Sequence, residues 1–407
     1  MARRWEGVAR SFEGLPWWGW LLAINSLLVL ATVAHHKLVL NYSIHFYLRQ
    51  VDLAIEMNFA AWWSGVLLLG LGLLSYEIFS GKGERSRFAW LLLAIAFVLL
   101  SIDEIGSIHE RIEDWLLESP FPTVDPYVPV AALGLLLIPL PLVVLARDRR
   151  TRKTAGLLLV GFLLLASIAV QERMEGRISW GDWWSVRIGL EEGTELLGMS
   201  LCYGGLVNHT WRGNLPKGWS GVLPNPLRMR FVPVLAALGL LVHLGALAVR
   251  ASQYESAFSE HLLVWYPLAL ACVLSLAAFW RYKRAVDRGW WLLLSGYFLL
   301  YSAMLPYVLP LTTDKADAFF SDYVCSFFVL QLGVAIALFL AIHRSLKVFS
   351  PVNYLTIAAM VLLVVGASVR PLGMFARYAL PGIFTFLLCQ LFFLNAFGRR
   401  GGYGERI

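Results

Sequence analysis

Asp103, Glu104, His109 and Glu110 lie close together in the chain, as do Glu172 and Glu175, and Glu191, Glu192 and Glu195. Long apolar runs separate the three groups. Carboxylates at the ends of membrane helices are costly, so such groups mark functional positions. Carboxylate oxygens with an imidazole nitrogen suit a divalent metal such as zinc, iron, manganese or calcium. The same groups could transfer protons. On this reading Glu104, His109 and Glu110 are the catalytic acid/base candidates. Asp103, His109, Glu110, Glu172, Glu191 and Glu195 are the candidate metal ligands.

Helical geometry limits which of these can cooperate. Asp103, Ser107, Glu110 and Asp114 follow the i, i+4, i+7, i+11 pattern and form one stripe. Glu104 falls about 100° to one side and His109 about 120° to the other, so a straight helix cannot aim both at one partner. Glu191 stacks over Glu195, with Glu192 on the same side. Glu104 and His109 are too far apart for the Glu-x-x-His pairing of di-iron bundles. His109 and Glu110 are followed by Arg111, Ile112 and Glu113, so the His-Glu-x-x-His zinc motif is absent.

Structural readings compete at each position. Glu113, Asp114 and Glu118 suit a solvated helix end. Glu191 and Glu192 suit the positive end of a helix dipole. Arg173, Arg177 and Arg187 could neutralise several of these acids in an ion-pair network. His35, His36 and His45 read as part of an external loop with interfacial aromatics, with ligation or proton shuttling as the alternative. Asp52, Glu56 and Asn58 stand at the mouth of the second apolar run. His243 reads as a packed polar group inside the membrane. Trp180 to Trp184 could form a lid at the lipid surface. The four cysteines lie in apolar runs without Cys-x-x-Cys spacing and read as buried free thiols.

The elements that must position these residues are membrane helices. The chain has 407 residues, 58% of them hydrophobic, and a mean hydropathy of +0.66. Repeated apolar runs of about 20 residues predict an all-α polytopic membrane protein. About twelve transmembrane helices are expected, near 16–35, 54–79, 88–109, 127–146, 154–172, 187–208, 230–249, 262–280, 290–310, 321–343, 352–370 and 375–397. No cleavable leader is expected, and the first run reads as retained. Of the 34 Lys and Arg residues, 24 fall in one alternating set of loops, which predicts cytoplasmic N- and C-termini. All three acidic groups then face the extracytoplasmic leaflet. The formal net charge of +7 reads as this topological bias, and no basic patch interleaved with aromatics predicts nucleic acid as a partner.

The stretch Arg87 to Ser101 matches Arg288 to Ser302 at a constant offset of 201, with eight of fifteen positions identical. A 6+6 parallel repeat follows: a half at 1–213 carrying the acidic/His site, a cytoplasmic linker at 214–229, and a degenerate half at 230–407. Asp103 and Glu104 correspond to Met304 and Leu305, so the chemistry sits in the first half.

Asn58, Trp62 and Ser64, then Ser101, Asp103, Glu104, His109 and Glu110, then Glu191, Glu192, Glu195 and Gly198 form a pattern. It resembles an uncharacterised family of multi-pass bacterial inner-membrane proteins. The resemblance implies a bacterial inner membrane and brings no activity with it. Three functions stay open. One is a metal-assisted enzyme acting on a lipid or lipid-linked substrate, with membrane lipids as partners. Another is a proton- or cation-coupled transporter, and the third a structural subunit of a membrane complex.

Overall fold

The computed structural model describes residues 17–37, 52–53, 58–81, 86–106, 134, 137–175, 183–211, 222–229, 231–251, 257–282, 288–308 and 385. Among these residues all regular structure is helical and no strand occurs. The nine α-helices are α1 (Trp17–Lys37), α2 (Phe59–Ser80), α3 (Arg87–Gly106), α4 (Pro139–Arg147), α5 (Arg152–Glu175), α6 (Trp184–Trp211), α7 (Val232–Ala251), α8 (Ala257–Tyr282) and α9 (Arg288–Val308). Each of the first nine expected spans falls on one of them. The last three expected spans lie outside the described residues except at Thr385, which is helical. Helices α1, α2, α3 and the Leu263–Tyr282 part of α8 are long and apolar enough to cross a membrane.

The chain divides into two compact units, Met1–Pro224 and Asn225–Ile407. In the first, α2 is the most enclosed of the membrane-length helices and contacts α3, α6 and α1. Helix α1 buries Trp17, Leu21, Asn25, Leu28 and Thr32, which recur at helical spacing along one face. Leu22, Leu27 and Leu30 of α1 are exposed, as a lipid-facing surface requires.

Hydrocarbon offers apolar helices no hydrophobic reason to associate, so close backbone approach and buried hydrogen bonds carry much of the assembly. At the α5–α6 crossing, a Cβ on Gly161 would lie 2.5 Å from Cys202 Sγ and 2.7 Å from the Gly198 carbonyl oxygen. Thr154 Oγ1 donates to the Gly205 carbonyl at 3.2 Å along the same crossing. Between α2 and α3, Ser101 Oγ donates to the Gly65 carbonyl at 2.7 Å. Asn25 ties three helices together. Its Oδ1 accepts from Trp63 Nε1 at 2.8 Å, and its Nδ2 donates to Ser200 Oγ at 3.0 Å.

The pairings are antiparallel and fix which ends meet. Val33 lies against Gly189, while Asn25 reaches Ser200, so α1 and α6 run in opposite directions. Gly65 meets Ile105 and Gly72 meets Val98, which orients α2 and α3 likewise. Gly198 meets Leu165 and Gly205 meets Leu157, which does the same for α5 and α6. The C-terminal ends of α1, α3 and α5 therefore share one end of the unit with the N-terminal ends of α2 and α6.

In the second unit, α8 packs on α9 and α7. Ser275 Oγ donates to the Ser295 carbonyl at 2.8 Å, and Ser295 Oγ returns a bond to the Ser275 carbonyl at 2.9 Å. The Tyr266 hydroxyl donates to the Ala236 carbonyl, and its ring lies over Gly239. His243 is buried with its ring against Tyr266, at 5.6 Å between centroids. Cys202 and Cys272 are buried free thiols. Cys325 and Cys389 lie outside the described residues.

The α5–α6 crossing gives a direct check. Gly161→Ala is expected to cost about 1–3 kcal/mol, because the added methyl meets backbone that cannot yield locally. Gly156→Ala on the same helix, with nothing within 4 Å of its would-be Cβ, is expected to be neutral or slightly stabilising. Thermal unfolding of the two variants in detergent measures the difference.

Candidate metal centre

The last turn of α1 carries His35 and His36. Thr32, His35 and His36 stand at i, i+3 and i+4, so all three lie on one side of the helix. This is also the negative end of the α1 dipole, where a cation or a protonated imidazole is stabilised. Across from it stands Asp52, six residues ahead of the Asn58 N-cap of α2. The Asp52 side chain has 0% exposure, against 7% for His35 and 24% for His36.

Both imidazoles converge on one carboxylate oxygen. His35 Nδ1 is in hydrogen-bond contact with Asp52 Oδ2. His36 Nε2 lies 3.0 Å from the same oxygen. That approach is short enough for an ion pair but lacks hydrogen-bond alignment, which leaves a buried ring nitrogen facing a carboxylate. One donor atom from each residue falls within 4.8 Å of the other two. Among the described residues, this is the only group of three or more His, Cys, Asp or Glu residues close enough to hold a metal ion. Two imidazole nitrogens and one carboxylate oxygen form the donor set of open zinc and non-haem iron sites. Calcium and magnesium prefer oxygen ligands throughout, so they suit it poorly.

The peptide group that follows Asp52 is held at both edges. The Leu53 N–H donates to Thr32 Oγ1 at 2.9 Å, and the same hydroxyl donates to the Leu28 carbonyl at 3.0 Å. Asn58 Nδ2 donates to the Asp52 carbonyl at 2.5 Å. Asn58 Oδ1 meanwhile accepts from the Ala61 N–H at 3.0 Å and caps α2.

The acids singled out from sequence occupy several places. Asp103 and Glu104 lie half-buried in the last turn of α3. Glu191, Glu192 and Glu195 lie half-buried in the N-terminal part of α6. Glu172 falls in the last turn of α5, its side chain outside the described set, and His109 and Glu110 lie outside the described residues. The described acids are at the same end of the unit as His35, His36 and Asp52, but none belongs to the metal-competent group.

Glu191 has a structural partner. Arg187 Nη2 donates to Glu191 Oε2 at 2.6 Å, with side chains only 6% and 12% exposed. The Arg187 guanidinium also lies 4.9 Å over the Trp184 ring, and Lys37 Nζ lies 6.0 Å from the centre of the Trp183 ring. Trp183 and Trp184 are exposed beside the end of α1, as interfacial residues are. The lid expected from Trp180 to Trp184 is described only at these two residues.

Sequence reading placed His35 and His36 in a loop by ending the first span at 35. The helix runs on to Lys37 and turns both imidazoles toward Asp52. The signal was present as Thr-x-x-His-His followed by an acid just ahead of the next apolar run.

Breaking the Arg187–Glu191 pair separates its structural role from any other. In a double-mutant cycle with Arg187→Gln and Glu191→Gln, thermal unfolding is expected to give a coupling of about 1–3 kcal/mol. Each single variant leaves a poorly solvated partner, while the double variant recovers much of the loss.

Neither the curated proteins nor the solved structures give a match to this chain. Residues 21–209 match a domain of unknown function (DUF8692), consistent with an uncharacterised family. The matched stretch takes in His35, His36 and Asp52 together with all three acidic groups.

Proposed function

We propose that this chain is a multi-pass membrane protein that holds a divalent metal at His35, His36 and Asp52 and acts on a lipid or lipid-linked substrate. The convergence of two imidazole nitrogens on one fully buried carboxylate oxygen carries this reading. When bound, such a metal supplies Lewis acidity and a water activated near neutral pH. The protein's own part is to fix three donors and leave further coordination positions open. Asp103, Glu104 and Glu195 would serve as acid/base or electrostatic groups at the same end. His109, Glu110 and Glu172 stay candidates for the same chemistry on the sequence reading alone. Glu191, already committed to Arg187, moves from the ligand set to a supporting role.

The setting belongs to the same proposal. The bias of Lys and Arg toward one set of loops supports twelve spans, cytoplasmic termini and a metal centre at the extracytoplasmic leaflet. The match between Arg87–Ser101 and Arg288–Ser302 supports a parallel 6+6 repeat, and the bacterial inner membrane rests on the family resemblance alone.

One observation also favours proton-coupled transport. The His35–Asp52 hydrogen bond could hold a transferable proton where a metal would otherwise sit.

Zinc titration of the purified full-length protein separates these readings. One equivalent of zinc is expected to bind, and Asp52→Asn or His36→Gln is expected to abolish that binding. Imidazole ligates metal only when neutral, so affinity is expected to fall on acidification, with protons released on binding. Incubation with a total membrane lipid extract, followed by mass spectrometry, tests turnover. A lipid species converted by the zinc-loaded wild type but not by Asp52→Asn supports the enzyme. Absence of saturable zinc binding, with uptake into proteoliposomes driven by a proton gradient, would replace it with the transporter.

A further inference from the structure

Asp52 meets both imidazoles because its backbone is tied to two helices. Thr32 on α1 receives the Leu53 N–H at 2.9 Å. Asn58, at the head of α2, donates to the Asp52 carbonyl at 2.5 Å. Both residues are buried, Thr32 completely. Each also has a second bond that fixes its own position, Thr32 to the Leu28 carbonyl and Asn58 to the Ala61 N–H. The two ties hold the two edges of one planar peptide group, the one that follows the Cα of Asp52: Asn58 holds its carbonyl and Thr32 its N–H. With that peptide plane fixed, the adjoining Asp52 side chain presents its carboxylate to His35 and His36.

We infer that Thr32 and Asn58 are positioning residues of this centre, holding Asp52 opposite the two histidines before a cation arrives. The inference rests on the metal reading above. A ligand fixed in advance loses less conformational freedom on binding, so the tether appears in affinity. Groups that orient metal ligands commonly govern affinity almost as strongly as the ligands themselves. If Thr32 and Asn58 served only to join α1 to α2, their loss would change the stability of the metal-free protein and leave zinc affinity alone.

The variants keep one role and remove the other. Asn58→Ser retains a capping oxygen for α2 and removes the amide donor to Asp52. Thr32→Val keeps the shape and removes the acceptor for Leu53, while Thr32→Ser keeps the hydroxyl. Zinc affinity of the full chain in detergent is measured by competition with a chromophoric chelator. The thermal midpoint of the metal-free protein is followed in parallel. Asn58→Ser and Thr32→Val are expected to weaken zinc binding by about tenfold or more, with Thr32→Ser close to wild type. Unchanged affinity in both Asn58→Ser and Thr32→Val, in a wild type that binds zinc, overturns the inference and leaves the metal reading standing. A loss of affinity that follows loss of the metal-free fold also counts against positioning. A wild type that binds no zinc removes the metal reading itself. Should Thr32→Val fail to fold, Asn58→Ser on the other helix carries the test.

Discussion

Asp52 has no exposed side-chain surface, and it stands where two membrane-length helices come together. Taking a carboxylate out of water costs several kcal/mol unless charge and hydrogen bonds replace the lost solvent. Two imidazoles at the end of α1 supply that replacement. Much of the local structure follows from the need. The α1 helix must continue through its last turn to aim both rings, and the residues after Asp52 must start α2 at Asn58. Thr32 and Asn58 absorb the backbone polar groups that this tight passage would otherwise leave unpaired.

That arrangement depends in turn on how α1 lies against α6 and α2. Gly189 and Gly193 present no side chain to Val33 and Val29, which lets α1 settle close to α6. Asn25, two turns from Thr32 on the buried face of α1, joins Trp63 of α2 and Ser200 of α6. A polar residue in this position sets the register of three helices at once, because each partner is a directional donor or hydroxyl. Fixing the register at Asn25 also fixes the height at which His35 and His36 emerge. The histidines are therefore positioned by packing deep within the unit as well as by their immediate neighbours.

Apolar run length made the helices legible, and the nine described ones lie where hydropathy put them. The antiparallel order of neighbouring helices brings Asp103, Glu104, Glu191, Glu192 and Glu195 to one end, as alternating spans imply. The centre itself was harder to read. Its candidate ligands are separated by the segment between α1 and α2, and a first span ended at 35 leaves both histidines to the loop. Hydropathy cannot see that a polar final turn is still helical, since it weighs composition and not backbone hydrogen bonding. Counting acids also favoured Glu191, whose neighbour one turn earlier, Arg187, already satisfies it. An i, i+4 Arg-Glu pair is visible in sequence, and its burial is not.

Metal and proton are alternative ways to satisfy the same three donors. A proton on His35 Nδ1 bridges to Asp52 along one direction. It leaves His36 Nε2 near the carboxylate but misaligned, a buried nitrogen whose bonding capacity is unused within hydrogen-bond geometry. A divalent cation has no such directional limit of one donor and one acceptor. It can accept all three lone pairs together, and its charge offsets the buried carboxylate more fully than a single proton does. Occupation requires the His35–Asp52 contact to open, since a metal stands about 2.0–2.2 Å from each ligand atom. The imidazoles belong to the terminal turn of α1, while Asp52 is tied at its own carbonyl and at the following amide. The candidate site is thus asymmetric: a carboxylate whose adjoining peptide group is tied to two helices, and two rings carried by the end of one.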